Sequence, residues 1–128
     1  MNANAYRAGT KSDEWFRRLR RDVFPLLPKR ATAKPTRSVR IAILDSGIDS
    51  TDLFLSREMG RVKYRSFLGD RFSERPEDVV GHGTHTAALL LTVARNADVF
   101  VGRITADGEQ WKSQQLVNVS GHALVNAG

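Results

Sequence analysis

The stretch from Val39 to Gly47, V-R-I-A-I-L-D-S-G, limits the possible folds more than any other part of the sequence. Its apolar run is short, rich in β-branched residues and closed by Ser-Gly, which is typical of a buried strand in a parallel sheet. The run ends on Asp45, and in open α/β sheets chemistry collects at the carboxyl ends of the strands. The pattern predicts a parallel α/β fold with Asp45 as a candidate site residue. The alternative for Asp45 is that it only forms a turn or caps a helix.

A second motif, Gly81 to Ala88, reads G-H-G-T-H-T-A-A. Two glycines flank His82, and a run of small and apolar residues follows. The motif predicts a buried helix from about His82 to Val93 with a histidine in its first turn. The alternative is that His82 is a capping or solvated histidine without a chemical role.

The segment D-S-G-I-D followed by G-H-G-T-H-T-A-A resembles the Asp and His motifs of the subtilisin-like serine proteases, the subtilases. The resemblance covers about Val39 to Thr105. It implies that Asp45 is the triad Asp, that His82 is the triad His, and that His85 is a packed structural histidine. It also implies a serine-type endopeptidase with a peptide or protein substrate, no cofactor, and no metal site near Asp52, because the family's His-Pro pair is missing there.

The family's nucleophile lies in a G-T-S-M-A-like segment, and no such segment occurs in residues 1–128. Ser46 directly follows Asp45, so its side chain should point away from the Asp–His pair, and Ser120 lacks the family's flanking residues; both are poor substitutes. We therefore expect an N-terminal portion that is inactive alone, unless a longer chain or a partner supplies the serine and the oxyanion donor. The alternative function is a non-catalytic binding or regulatory module derived from the same fold.

The residue types suit acyl transfer. A serine hydroxyl is a weak nucleophile until a base removes its proton, and histidine suits that role because its ordinary pKa lies near neutrality. A buried carboxylate fixes the imidazole tautomer and stabilises the charged ring. Asp45 at a strand end and His82 at a helix start are expected to meet, although they lie far apart along the chain.

The charge of the chain is unevenly distributed. The net charge is +6, but residues 1–40 hold 11 Lys or Arg against 3 Asp or Glu, whereas residues 41–128 hold 9 against 11. A helix is predicted from Ser12, as its cap, to Phe24, with its apolar side chains on one side and Arg17, Arg18, Arg20 and Arg21 on the other. We expect it to dock on the domain. Nucleic acid or an anionic membrane are alternative partners, of which nucleic acid is not expected.

The predicted architecture is α/β, a partial subtilisin-like parallel three-stranded sheet with helices, preceded by the amphipathic helix. Residues 1–38 would form the basic helix and linker, and residues 39–128 the truncated peptidase domain. Strands are predicted at 39–44, 61–67 (an edge strand) and 98–104. A final helix is predicted from Ser113 to Ala127, and His122 is expected at the surface.

The sequence contains no cysteine, no apolar secretory signal at its start and no stretch of membrane-spanning length, from which a cytoplasmic location and no membrane span are expected. In subtilases the Asp-bearing strand lies inside the sheet. Here its later neighbour is absent, so one edge of 39–44 should be unpaired. We therefore expect these 128 residues to associate with another chain, to aggregate, or to be part of a longer protein.

Overall fold

A computed structural model of the chain describes residues 9–27, 38–69 and 72–108. Contacts within it divide the chain into two compact units, Met1–Lys34 and Pro35–Gly128. The domain boundary between residues 38 and 39 stays a prediction. The predicted helix Ser113–Ala127, together with Ser120 and His122, lies outside the described residues.

The first unit contains helix α1, Lys11–Arg18, which continues as a wider π-helical turn, Leu19–Val23, and a short 3₁₀ turn, Phe24–Leu26. The predicted cap, Ser12, is wrong, because the helix begins after Thr10. The Thr10 hydroxyl accepts from the Asp13 amide and the Asp13 carboxylate accepts from the Thr10 amide. This capping box needs an acid three residues after the cap, and only Thr10 has one.

The second unit is built on a parallel sheet of three strands: β1, Arg40–Asp45; β2, Val62–Ser66; and β3, Asp98–Arg103. Their order is β1–β3–β2, so β3 is central and β2 lies at an edge, as predicted. Asp45 and Ser66 both lie opposite Arg103 in the register. The carboxyl ends of all three strands therefore lie side by side at the same end of the sheet.

Among the described residues, two helices accompany the sheet: α2, Leu55–Glu58, which runs into a 3₁₀ turn at Met59–Arg61, and α3, His82–Val93. The bounds of α3 are those predicted from the sequence. Within the described residues, no helix has both the length and the apolar character needed to cross a membrane.

The core lies between one face of the sheet and the two helices. Its members are apolar side chains from all three strands, from α2 and α3, and from the loop after β1: Ile43, Ile48, Leu55, Val62, Tyr64, Ala87, Leu91, Val99 and Val101. Alternate residues of a strand point to opposite faces, which is why Ile43, Val99 and Val101 share this side. The packing fixes the start of α3 beside the carboxyl ends of the strands.

Candidate active site

Asp45 is the last residue of β1, and the backbone around it is fixed by the sheet. Its carbonyl accepts a hydrogen bond from the Ile104 amide at 2.9 Å. Its carboxylate oxygen Oδ1 accepts from the amide of Ser46 at 2.7 Å. These two bonds orient the side chain, of which only 14% is exposed.

His82 is the first residue of α3 and faces Asp45. The preceding residue, Gly81, has a φ of 88°, a left-handed conformation that glycine adopts without strain. From this turn the imidazole Nδ1 lies 2.8 Å from both carboxylate oxygens of Asp45. The structure thus brings together the two residues that the sequence motifs single out.

The two partners differ sharply in exposure. The Asp45 side chain is largely buried, whereas 69% of the His82 side chain is exposed. Nδ1 is the ring nitrogen beside the carboxylate, so a neutral ring protonated at Nδ1 would donate to Asp45 and leave Nε2, on the far side of the ring, to accept a proton. This is the orientation that a general base requires.

Glycines allow the loop after β1 and the start of α3 to approach each other closely. A β-carbon on Gly83 would lie 2.2 Å from the carbonyl oxygen of Gly47, and one on Gly47 would lie 1.9 Å from the carbonyl oxygen of Glu77. Gly47 also has a φ of 120°. Larger side chains at these positions would push His82 away from Asp45.

Asp78 is a site residue that the sequence analysis did not single out. Its carboxylate accepts hydrogen bonds from Ser46, Val80, Gly81 and Thr84. The available signal was an Asp three residues before Gly81, since Asp commonly bonds to backbone amides a few residues further on. The sequence does not show that Ser46 joins the same carboxylate.

Ser46 is fully buried and does not act as a free hydroxyl beside the imidazole. Its Oγ donates to Asp78 at 2.9 Å and accepts from the Gly83 amide at 3.0 Å. This serine is therefore a structural link between the loop after β1 and the start of α3.

The segment before α3 is anchored to the sheet through Glu77. Its carbonyl accepts from the Ile48 amide at 3.1 Å, and its carboxylate pairs with Arg103 at the end of β3. These bonds hold the residues just before His82 against the carboxyl ends of the strands.

The prediction of a packed His85 is wrong, because this side chain is exposed. The inward face of α3 is formed by Gly83, Ala87 and Leu91, which lie four residues apart. His85 lies two residues from each of the first two and so points to the opposite face. Asp52, near which no metal site is expected, accepts from the amides of Phe54 and Leu55 at the start of α2.

Comparison with known families gives one match, to the model described as the Subtilase family, over residues 36–118. The matched range includes β1, α3, both residues of the Asp45–His82 pair and Asp78. No curated protein matches the chain.

Proposed function

Because the chain belongs to the subtilase family, we propose that Asp45 and His82 are the carboxylate and the general base of a Ser-His-Asp triad that hydrolyses peptide bonds. The observation that supports this most directly is the 2.8 Å approach of His82 Nδ1 to both Asp45 oxygens. In this arrangement Asp45 holds the tautomer, and Nε2 takes the proton of an attacking serine.

The proposal requires a serine from outside the described residues. As the family implies, this serine would lie in a G-T-S-M-A-like segment. The segment would come from the continuation of the reading frame past Gly128 or from a partner chain. The substrate class is a peptide or protein, as the family implies. Residues 1–128 alone are expected to hydrolyse peptides barely above background, because loss of the serine costs subtilisin on the order of 10⁶ in turnover.

The test uses the protein together with the polypeptide that supplies the serine and compares His82→Ala with His85→Ala. Both residues lie on α3, and both side chains are exposed. We expect His82→Ala to lower kcat by a factor on the order of 10⁶ and His85→Ala to leave kcat nearly unchanged. Peptide hydrolysis that survives His82→Ala, or that is lost equally in both variants, would contradict the proposal.

A second function, a module that binds an acidic partner, is favoured by α1 and the π-helical turn that follows it. The side chains of Arg17, Arg18, Arg20 and Arg21 are all exposed, and Trp15 beside them is half exposed. Binding to a polyglutamate probe that weakens with added salt and persists in His82→Ala would support this function. Salt-insensitive binding, or none, would contradict it.

A further inference from the structure

Asp78 connects the two sides of the candidate active site. One oxygen, Oδ1, accepts from Ser46 Oγ at 2.9 Å, from the Gly81 amide at 2.8 Å and from the Val80 amide at 3.2 Å. The other, Oδ2, accepts from the Thr84 amide at 2.8 Å and from the Thr84 hydroxyl. Residues on both sides of His82 are therefore bound to a single carboxylate.

The same carboxylate is linked to Asp45 through one residue. The Ser46 amide donates to the Asp45 carboxylate, while the Ser46 hydroxyl donates to Asp78. The Gly83 amide donates back to Ser46 Oγ at 3.0 Å. These bonds close a ring that contains the loop after β1 and the first turn of α3.

Packing does not hold the imidazole of His82, because most of that side chain is exposed. Its position depends on the backbone from Gly81 to Thr84, whose two end residues donate to Asp78. A small rotation of this turn would carry Nδ1 out of hydrogen-bonding range of Asp45. The site therefore needs a group that fixes the turn against β1.

We propose that Asp78 is a positioning residue, whose carboxylate holds the first turn of α3 against the loop after β1 and so keeps His82 aligned with Asp45. The role rests on the function proposed above, because it serves the same pair. An ionised carboxylate suits it, since it accepts at both oxygens and donates from neither. An asparagine keeps one accepting oxygen and turns an NH₂ group toward the Thr84 amide, where two donors would face each other.

The electrostatics agree with this role. Burial raises the pKa of Asp78, but the hydrogen bonds from Thr84, Gly81 and Ser46 together outweigh burial and hold that pKa below its ordinary value. The group is thus a carboxylate near neutral pH.

The experiment records imidazole ¹⁵N spectra of the 128-residue chain in wild type, Asp78→Asn and Asp52→Asn. Asp52→Asn is the matched control, because it alters a carboxylate that accepts from two amides at the start of α2 and, among the described residues, makes no hydrogen bond to the His82 turn. We expect Asp78→Asn to at least halve the population of the His82 tautomer protonated at Nδ1, and Asp52→Asn to leave it unchanged. If Asp78 only stabilises the fold, the population of this His82 tautomer should either stay at its wild-type value in both variants or fall in both. In the second case the fall should follow the free energy of unfolding that each variant loses.

Ser46→Ala is a second variant in case Asp78→Asn does not fold, as judged by circular dichroism. It removes the hydroxyl that donates to Asp78 and accepts from the Gly83 amide, so the first turn of α3 loses its links to the loop after β1 and the same tautomer should lose population. A folded variant of either kind with wild-type His82 signals overturns the positioning role.

The variant Asp45→Asn distinguishes a failure of this positioning role from a failure of the proposed function on which it rests. A His82 spectrum that does not respond to Asp45→Asn refutes the Asp45–His82 pairing, and both proposals fail. A spectrum that responds to Asp45→Asn but not to Asp78→Asn or Ser46→Ala overturns the positioning role alone.

Discussion

Gly83 allows α3 to approach the loop after β1 closely, because it has no side chain. We expect Gly83→Ala to lower the free energy of unfolding by about 1–3 kcal/mol, because the new β-carbon would meet the Gly47 backbone at 2.2 Å. The better helix propensity of alanine, worth about 1 kcal/mol, does not offset a clash between the new β-carbon and the Gly47 backbone. Urea unfolding followed by circular dichroism measures the loss.

Gly60→Ala is the control for this substitution. Nothing lies within 4 Å of a β-carbon at Gly60, so that change should be neutral or stabilising by less than about 1 kcal/mol. Equal stability of the two variants at the same protein concentration would show that the close approach at Gly83 does not constrain the fold.

Asp78 makes stability depend on pH. Its folded pKa lies below its ordinary value of 3.8, so its contribution is complete above that value and is lost as the pH falls through the lower, folded pKa. We expect the stability difference between wild type and Asp78→Asn to be largest near neutral pH and to shrink below about pH 4. Urea unfolding at a series of pH values tests this, and a difference that does not vary with pH would contradict it.

Sequence motifs identified Asp45 and His82 because each lies in a local pattern with its own turn or helix signal. The partnership of Asp78 with Ser46 could not be predicted in this way. It joins two segments that meet only after the sheet and α3 have packed, and neither segment contains a pattern that names the other. The exposure of His85 was missed for a similar reason, because the face that α3 buries depends on the sheet.

At the scale of elements, α3 is fixed at its far end by one side chain, Arg61. Its guanidinium donates to the carbonyls of Leu91 and Ala94 at 2.7 Å each and of Ala97 at 3.3 Å. It also pairs with Glu58 at 2.6 Å, and only 10% of the side chain is exposed. The Leu91 carbonyl is one that the end of a helix leaves without an intrahelical donor, whereas the Ala94 carbonyl also accepts from the Ala97 amide at 3.2 Å.

We expect Arg61→Ala to lower the free energy of unfolding by about 2–3 kcal/mol, since it removes the donor to the partly buried Leu91 carbonyl and to the Glu58 carboxylate. Arg61→Lys should recover only part of this, because an ammonium lacks the planar fork. Arg57→Ala, at an exposed position of α2, serves as the control and should change stability by less than about 0.5 kcal/mol. Urea unfolding compares the three, and equal stability of Arg61→Ala and Arg57→Ala would contradict the capping role.

The elements also show where sequence patterns predict well. The bounds of α3 were predictable because Gly81 marks the turn before it and a run of apolar residues continues to Val93. The start of α1 was not, because both Thr10 and Ser12 are acceptable caps and the choice depends on the reciprocal bond with Asp13. The sequence did not predict the order of the strands; it predicted only the edge position of β2, from the alternation of its residues.

On the scale of the whole molecule, the described residues leave surfaces that parallel α/β folds usually cover. The edge of β1 away from β3 has no partner strand among them. On the second face of the sheet Ala42 is exposed, and Leu44 and Phe100 are only partly buried. The outward side of α3 exposes Leu89 and Val93. Parallel sheets are normally buried on both faces.

We therefore expect the purified 128-residue chain to associate in a concentration-dependent way, because open strand edges and uncovered apolar faces pair with other chains. Size-exclusion chromatography with light scattering measures this against the monomer mass of 14.3 kDa. Ala42→Lys places a charge on the exposed strand and should shift the distribution toward monomer. A wild-type chain that stays monomeric at every concentration and unfolds cooperatively would contradict this expectation.

The central claim is that Asp45 fixes the imidazole of His82 with Nδ1 protonated and Nε2 free to act as a base. The most direct test is the imidazole ¹⁵N spectrum of the wild-type chain near neutral pH, in which His85, exposed on the same helix, provides an internal reference. We predict that His82 is mainly the tautomer protonated at Nδ1 and that its signals differ from those of His85. A His82 that is protonated mainly at Nε2, with signals like those of His85, would contradict the account.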